Sequence, residues 1–294
     1  MRAVVVTTFG GPEAVEVVET EVPEPGARQV RIKVAAATLN PVDAGVRAGV
    51  FGGAGERIGL GWDVAGTVDA TGEAAAWTVG EEVVALLYGP VKPLGTHAEY
   101  VVVDADAVAK APAGVDAVHA ATLPLNALAA VQALDLLEVT PGQSLLITGA
   151  AGALGGYAVR LAAHRGISVT ALARPTDEDL VRSLGADRLA DGDEGGFDAV
   201  LDAAVLGAPA LERVRDGGAY VGVIPGASPA PERGVRTSEI EVSADGARLA
   251  ELVRLVDEGV LTLRVAETYT LDDAAKAHAR LAEGGLRGRL VLVP

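Results

Sequence analysis

Residues 144–166 read SLLITGAAGALGGYAVRLAAHRG. An apolar run ends at Thr148, a string of small residues follows, and an amphipathic stretch begins inside it. Strand, glycine turn and helix in that order make the opening unit of a parallel α/β sheet. Within the turn, Ala150–Gly155 reads A-x-G-x-x-G, with alanine in the first place of the dinucleotide fingerprint. Small residues there let the backbone approach a diphosphate, and the N–H groups of the helix's first turn can hold its charge. The candidate cofactor contacts are Ala150, Ala151, Gly152, Ala153, Leu154 and Gly155. Gly155 would also let the helix pack close to the strand. The rival reading is a tight strand-to-helix turn with no ligand.

Outward from this turn, the pattern splits the chain. Toward the C-terminus, strand-like and helix-like segments alternate: ISVTALA, DEDLVRSLG, DAVLDAA, PALERVRDGG, AYVGVI, SEIEV and GARLAELVRLVDEG. This predicts βαβ units around a parallel sheet covered on both faces. Gly166, Gly185, Gly217 and Gly259 stand where helices would end in the left-handed conformation. Toward the N-terminus, RAVVVTT, AVEVVE, QVRIKVAAA, VAGTVDA, EEVVALL and HAEYVVV are rich in Val, Ile and Thr and are split by breakers such as PEPGA and YGPVKPLG. They predict an all-β barrel or sandwich. The tail returns to that style with VAETYTL, a helix DDAAKAHARLAEGG and a final strand RLVLV. The expectation is an α/β protein with residues 1–115 and 264–294 in a discontinuous β domain and 116–263 in a doubly wound domain.

Composition narrows the function classes. Of 294 residues half are hydrophobic but only 3% aromatic, so Val, Leu and Ala must build the core. The net charge of −16 gives nucleic acid and anionic membrane little to attract. There are no cysteines, which excludes disulfides, thiolate metal sites and cysteine nucleophiles. No apolar run is expected to reach membrane-spanning length, and the N-terminus lacks the apolar core of a signal peptide, so the expected location is cytoplasmic.

The strand after the turn bears on cofactor choice. NAD enzymes usually carry an acid about 20 residues beyond the motif for the ribose 2′-hydroxyl. Arg174 lies nineteen residues past Gly155, with no acid at that strand end. An arginine fork can pair with a 2′-phosphate, which favours NADP(H). The alternative is a surface arginine paired with Asp177 or Glu178.

Taken together, TLNPVD (38–43), GWDVAGTV (61–68), GTHAEYVVV (95–103), ATLPLNALAAVQAL (121–134), GAAGALGG (149–156), LGAD (184–187) and RGRLVLVP (287–294) resemble, in order and spacing, the zinc-independent medium-chain dehydrogenase/reductases, in their quinone oxidoreductase branch. The resemblance covers nearly the whole chain. It implies a GroES-like β-barrel domain completed by the C-terminal tail, with a Rossmann domain between. The zinc-containing relatives place a Gly-His-Glu motif where this chain has Gly61-Trp62-Asp63, and no cysteine stands in for their ligands. The four histidines, at 97, 119, 164 and 278, show no close pair at ligand spacing, so no metal is expected.

By resemblance, the LNPVD motif lies at the cofactor cleft. Asn40 would orient the nicotinamide or an acceptor oxygen; it is equally suited to cap a helix that begins at Pro41. Asp43 suits the first turn of that helix. Asp63 would lie near the cofactor or hold the turn before VAGTV. Trp62 would stack on substrate or fill the barrel, and Phe51 stands where the family often has a tyrosine. Ala129 replaces a common threonine, and with the tyrosine also replaced by Phe51 the general acid stays unnamed, the proton coming from solvent or through a cofactor ribose hydroxyl. Asp202, Ala203, Val223 and Ile224 resemble strand ends beneath the ribose and carboxamide, contacting through backbone. Arg289 replaces a lysine near the cofactor, or is simply exposed. The implied activity is transfer of hydride from NADPH to quinones or α,β-unsaturated carbonyls in a homodimer that extends the Rossmann sheet, with AYVGVI suited to the sheet edge. The alternatives are an enoyl-thioester reductase of polyketide or fatty-acid type and a catalytically silent NADPH-binding sensor.

Overall fold

The computed structural model describes residues 1–53 and 55–294; residue 54, in the loop FGGAGERIGLG, lies outside them. The chain divides into two compact units: Met1–Leu125 with Ala244–Glu258 and Leu263–Pro294, and Asn126–Ser243 with Gly259–Thr262.

The first unit begins with β1 (Arg2–Val6), β2 (Val15–Glu19), β3 (Gln29–Leu39), α1 (Pro41–Arg47), β4 (Ile58–Gly59), β5 (Asp63–Thr71), β6 (Glu82–Leu86), β7 (Tyr100–Asp104), β8 (Val108–Lys110) and α2 (Ala117–Ala120). The Val and Ile runs alternate as a half-buried strand requires. Val30, Ile32 and Val34 of β3 point inward against Val64, Val68, Val83, Val101 and Val103. Each such burial contributes about 1.5–3 kcal/mol, so a core poor in aromatics is held by its number of branched side chains. Antiparallel pairing joins β3 to β5 and β7, β5 to β6, and β6 to β8. A smaller antiparallel sheet runs β2-β1-β4.

The second unit is built on α3 (Pro124–Leu137), β9 (Ser144–Thr148), α4 (Ala153–His164), β10 (Ser168–Leu172), α5 (Glu178–Ser183), β11 (Arg188–Leu189), β12 (Phe197–Asp202), α6 (Ala208–Leu211), β13 (Val214–Gly222) and β14 (Arg236–Glu239). Its strands form one parallel sheet in the order β11-β10-β9-β12-β13-β14. The register aligns the carboxyl ends of five strands, Leu172, Thr148, Asp202, Gly222 and Glu239, in one row.

The chain then returns to the first unit through α7 (Gly246–Asp257), β15 (Val265–Thr270), α8 (Ala274–Glu283) and β16 (Arg289–Val293). β16 pairs antiparallel with β3, placing Leu290 opposite Leu39, and parallel with β15. The sequence pattern alone puts α7 in the parallel-sheet half. Its contacts group it instead with the first unit, where a Cβ on Gly246 would lie 2.5 Å from the carbonyl oxygens of Asp106 and Val108.

Four sequence expectations are corrected. The helix expected over PALERVRDGG is only α6; Val214 is buried and paired with Phe197, so the chain is already extended there. Gly217 has a φ of +71°, but it bends β13 and ends no helix. The strand AYVGVI is not at the sheet edge, because Ala219–Gly222 is paired on one side by β12 and on the other by β14. An apolar strand buried on both faces needs neighbours on both sides, and the edge belongs to the polar β14. Finally, one helical stretch, Ala117–Leu137, is long and apolar enough to cross a membrane; 78% of its most apolar window is buried inside the fold, as in a core helix.

Candidate active site

Two groups of residues stand out, one in each unit. In the second, β9 ends at Thr148, the chain turns through Gly149 (φ +59°), and α4 starts at Ala153. The helical ladder opens with the Gly156 N–H donating to the Gly152 carbonyl (3.0 Å). The N–H groups of Ala153, Leu154 and Gly155 precede that ladder, as in every helix start. A Cβ on Gly155 would sit 2.3 Å from the Gly149 oxygen, so any side chain there would force the helix off the turn. At Gly152, among the described residues, a Cβ would meet only that same oxygen, at 3.1 Å, so the turn has room for a small close-approaching group on its outer face. A diphosphate fits such a cradle.

The row of strand ends fixes what surrounds it. Asp202 is buried and fully engaged: its Oδ1 accepts from Thr148 Oγ1 (2.6 Å), and its Oδ2 accepts from the Gly207 N–H (2.8 Å) and the Tyr220 hydroxyl (2.9 Å). Thr148 Oγ1 in turn accepts from the Ala204 N–H (2.9 Å). Burial, then the Asp202 bond, raises the Tyr220 phenol above its ordinary range. The carboxylate of Asp202 therefore clamps β9, β12 and β13. Ala203 and Val223 are half-buried and Ile224 is exposed, all just past the aligned strand ends. Arg174 leaves β10 at the same edge and is exposed. It makes no ion pair with Asp177 or Glu178 among the described residues; Glu178 pairs with Arg182 instead (2.8 Å).

In the first unit, the LNPVD motif does cap a helix. Asn40 is the N-cap of α1, Pro41 follows it, and Asp43 Oδ2 accepts from the Asn40 N–H (2.8 Å). The same carboxylate's Oδ1 accepts from the Gly61 N–H (2.7 Å), tying α1 to the segment before β5. Gly61 has a φ of +98°, and a Cβ there would lie 2.5 Å from the His97 backbone nitrogen, so only glycine passes. The Asn40 side chain completes a capping box with Asp43, and its amide nitrogen reaches further. Its Nδ2 donates to Asp63 Oδ2 (2.6 Å) and Thr38 Oγ1 (3.1 Å). Thr38 Oγ1 and the Leu125 N–H also donate to Asp63. Burial pushes Asp63 up to about 6, against the pull of the Thr38, Leu125 and Asn40 bonds and of the Arg289 charge.

Arg289 is buried and not solvent-exposed; its Nη2 donates to the Leu39 carbonyl (3.1 Å). Trp62 is only 4% exposed and packs edge-on against Tyr88, with ring centroids 5.5 Å apart. Phe51, by contrast, is 41% exposed. Sequence reasoning missed one neighbour altogether. Lys92, inside a loop read as a variable breaker, holds its Nζ 4.4 Å from the Trp62 ring centroid and donates to the Gly89 carbonyl. Burial lowers its ammonium to about 8, against the attraction of Asp43 and Asp63. Three of the four histidines are committed elsewhere. His97 bonds the Thr38 carbonyl (2.9 Å), His278 bonds Arg47 Nη1 (3.1 Å), and His119 pairs with Asp116 (2.9 Å). Among the described residues no group of three or more His, Cys, Asp or Glu side chains is placed to hold a metal ion.

Comparison with known proteins agrees with this architecture. The family described as alcohol dehydrogenase GroES-like domain matches residues 26–113, and that described as zinc-binding dehydrogenase matches residues 168–292. The chain is 36% identical to an NADPH-dependent alkenal/one oxidoreductase of Arabidopsis thaliana over 82% of its own length and 67% of the relative's. It is 32% identical to a 2-methylene-furan-3-one reductase of Solanum lycopersicum over 100% of its own length and 79% of the relative's. The solved quinone oxidoreductase of Coxiella burnetii superposes with a TM-score of 0.90 at 28% identity, covering 100% of this chain and 99% of that one. With a GroES-like unit, a Rossmann unit and these relatives, the chain belongs to the medium-chain dehydrogenase/reductase family, among its quinone and alkenal/one oxidoreductases.

Proposed function

We propose that this protein is an NADPH-dependent reductase of α,β-unsaturated carbonyl compounds and quinones. The observation that carries the reading is the aligned row of strand ends beside the Gly149–Gly155 cradle, where ligands bind in open α/β sheets. The names of the alkenal/one and quinone relatives support the substrate class.

When bound, the reduced cofactor supplies a hydride, and so two electrons, from its nicotinamide ring. The protein's own residues bind and orient it. The N–H groups at the start of α4 hold the diphosphate, Arg174 pairs with the 2′-phosphate, and the backbone past β12 and β13 (Ala203, Val223, Ile224) lines the ribose and ring. Asn40, fixed by Asp63 and the α1 cap, orients the reacting end, with Arg289 holding the charge balance behind Asp63 and Phe51 and Trp62 bordering the acceptor. Conjugated acceptors spread the developing charge and need no metal, which suits a chain without cysteine and, among the described residues, without a ligand cluster. The reading extends to a cytoplasmic homodimer. The edge strand β14 offers unpaired backbone for a two-fold extension of the sheet, and a cysteine-free chain has no need of an oxidising compartment.

The test is NADPH consumption against a panel of enones, enals, ortho-quinones and crotonyl thioesters. Turnover of free enones or quinones is the expected result. Turnover of thioesters alone would replace it with the thioester reductase, and binding without turnover with the silent sensor.

A further inference from the structure

In the first unit, among the described residues, one ammonium is only partly used. Lys92 is half-buried, its backbone carbonyl is pinned by the Gly59 N–H (2.8 Å), and its side chain lies over the Trp62 ring. Of its three N–H donors, one goes to the Gly89 carbonyl. No carboxylate lies within ion-pair distance among the described residues, although Asp43 and Asp63 both act on it through space. A half-buried lysine normally closes on a carboxylate or reaches out to water. Among the described residues this one is held by a carbonyl and an aromatic face, with donors to spare. Around it the surface turns apolar. Tyr88 and Val91 of its own loop are exposed, and a Cβ on Gly53 of the neighbouring loop would lie 3.3 Å from Val91 Cγ1. A spare ammonium beside an apolar rim suits a small apolar molecule that carries one oxygen.

We infer that Lys92 is the electrophilic and proton-donating residue for the acceptor's carbonyl oxygen. This rests on the reductase reading above. As hydride adds to the β-carbon of an enone, the C=C π electrons move to form a new C=C bond and the C=O π pair goes to oxygen. Lys92 Nζ–H hydrogen-bonds that oxygen and transfers its proton to it, leaving a neutral amine; solvent water returns a proton to the amine. The groups that face Lys92 are Asp43 from α1, Asp63 from β5 and His97 from the turn before β7. The two carboxylates favour the ammonium and burial opposes it, so the donor works below pH about 8 and is lost as pH rises through it.

The experiment compares the wild type with Lys92→Met, which keeps the stem over Trp62, and Lys92→Arg, which keeps the charge. Without cofactor, 4-nitrophenol serves as a probe for an anionic oxygen. The wild type is expected to bind it as the phenolate, seen by its absorbance, and Lys92→Met to bind at least tenfold more weakly. In turnover, Lys92→Met is expected to lose on the order of 100-fold in kcat with enones, the loss seen when a transition-state oxygen loses its donor. Its alkaline limb near pH 8 should vanish, and quinone reduction should fall less than tenfold. Lys92→Arg should restore phenolate binding. Equal phenolate binding and an unchanged pH profile in a folded Lys92→Met would overturn the assignment. A wild type inert toward every acceptor would instead overturn the reductase reading.

Discussion

Replacing Arg174 with alanine separates cofactor discrimination from everything else in the molecule. The guanidinium is exposed and makes no ion pair among the described residues, so its removal should change folding stability by less than about 0.5 kcal/mol. Under the proposed role, what it loses is one charge-assisted contact to the 2′-phosphate. Hydrogen bonds to charged groups contribute about 1.5–3 kcal/mol, and the exposed position argues for the lower half, about 2 kcal/mol. At about 1.4 kcal/mol per decade that is roughly a 30-fold weaker NADPH dissociation constant. NADH lacks the phosphate and should bind with unchanged affinity. Fluorescence titration of both cofactors against wild type and Arg174→Ala measures the ratio directly. The wild-type preference should also shrink with added salt, as an exposed charge contact must. Arg174→Lys should fall between the two, because an ammonium keeps the charge but loses the fork. An unchanged NADPH-to-NADH ratio in Arg174→Ala would refute the assignment and return this arginine to the ordinary surface.

Three further outcomes are expected. Gly155→Ala should abolish NADPH binding in calorimetry and cost about 1–3 kcal/mol of stability, since its Cβ would collide with the Gly149 carbonyl; normal binding would mean that the turn yields easily. Asp43→Ala leaves the N–H groups of Asn40 and Gly61 without their acceptor and should lower stability in urea by about 2–4 kcal/mol, whereas a cost under 0.5 would show that water replaces the carboxylate. His278 is buried, and burial, then the charges of His97 and Arg47, lowers it to about 3. The unfolded chain binds its proton near pH 6.5 while the folded chain does not, so this contribution is intact above pH 6.5 and is lost as pH falls toward 3. Between pH 7.5 and 5 the wild type should lose about 2 kcal/mol more than His278→Asn, whose Oδ1 can still accept from Arg47; parallel pH curves would contradict the burial argument.

Much of this was legible in the amino-acid order, because the signals were local. Period-two valines gave the strands of the first unit, and the small-residue turn at 149–155 announced itself by what it lacks. The helix start at Asn40-Pro41 was readable from two residues. What stayed hidden depends on contacts distant in sequence. Nothing in YGPVKPLG says that Lys92 lies over Trp62, and no local rule says that Asp63 is buried with four donors and charges around it. Arg289 read as a plausible surface residue because its partner, the Leu39 carbonyl, is 250 positions away. The segment PALERVRDGG misled for the opposite reason. Its composition suits a helix, but pairing of Val214 with Phe197 outweighs propensity.

The Thr148–Asp202–Tyr220 clamp has a consequence for how the second unit meets its ligand. These bonds join the tips of three neighbouring strands without help from any bound molecule. A rim stitched in advance has little ordering left to do, so association there should carry a small entropic penalty. Amide exchange along those tips should be slow before NADPH arrives and nearly as slow after it leaves.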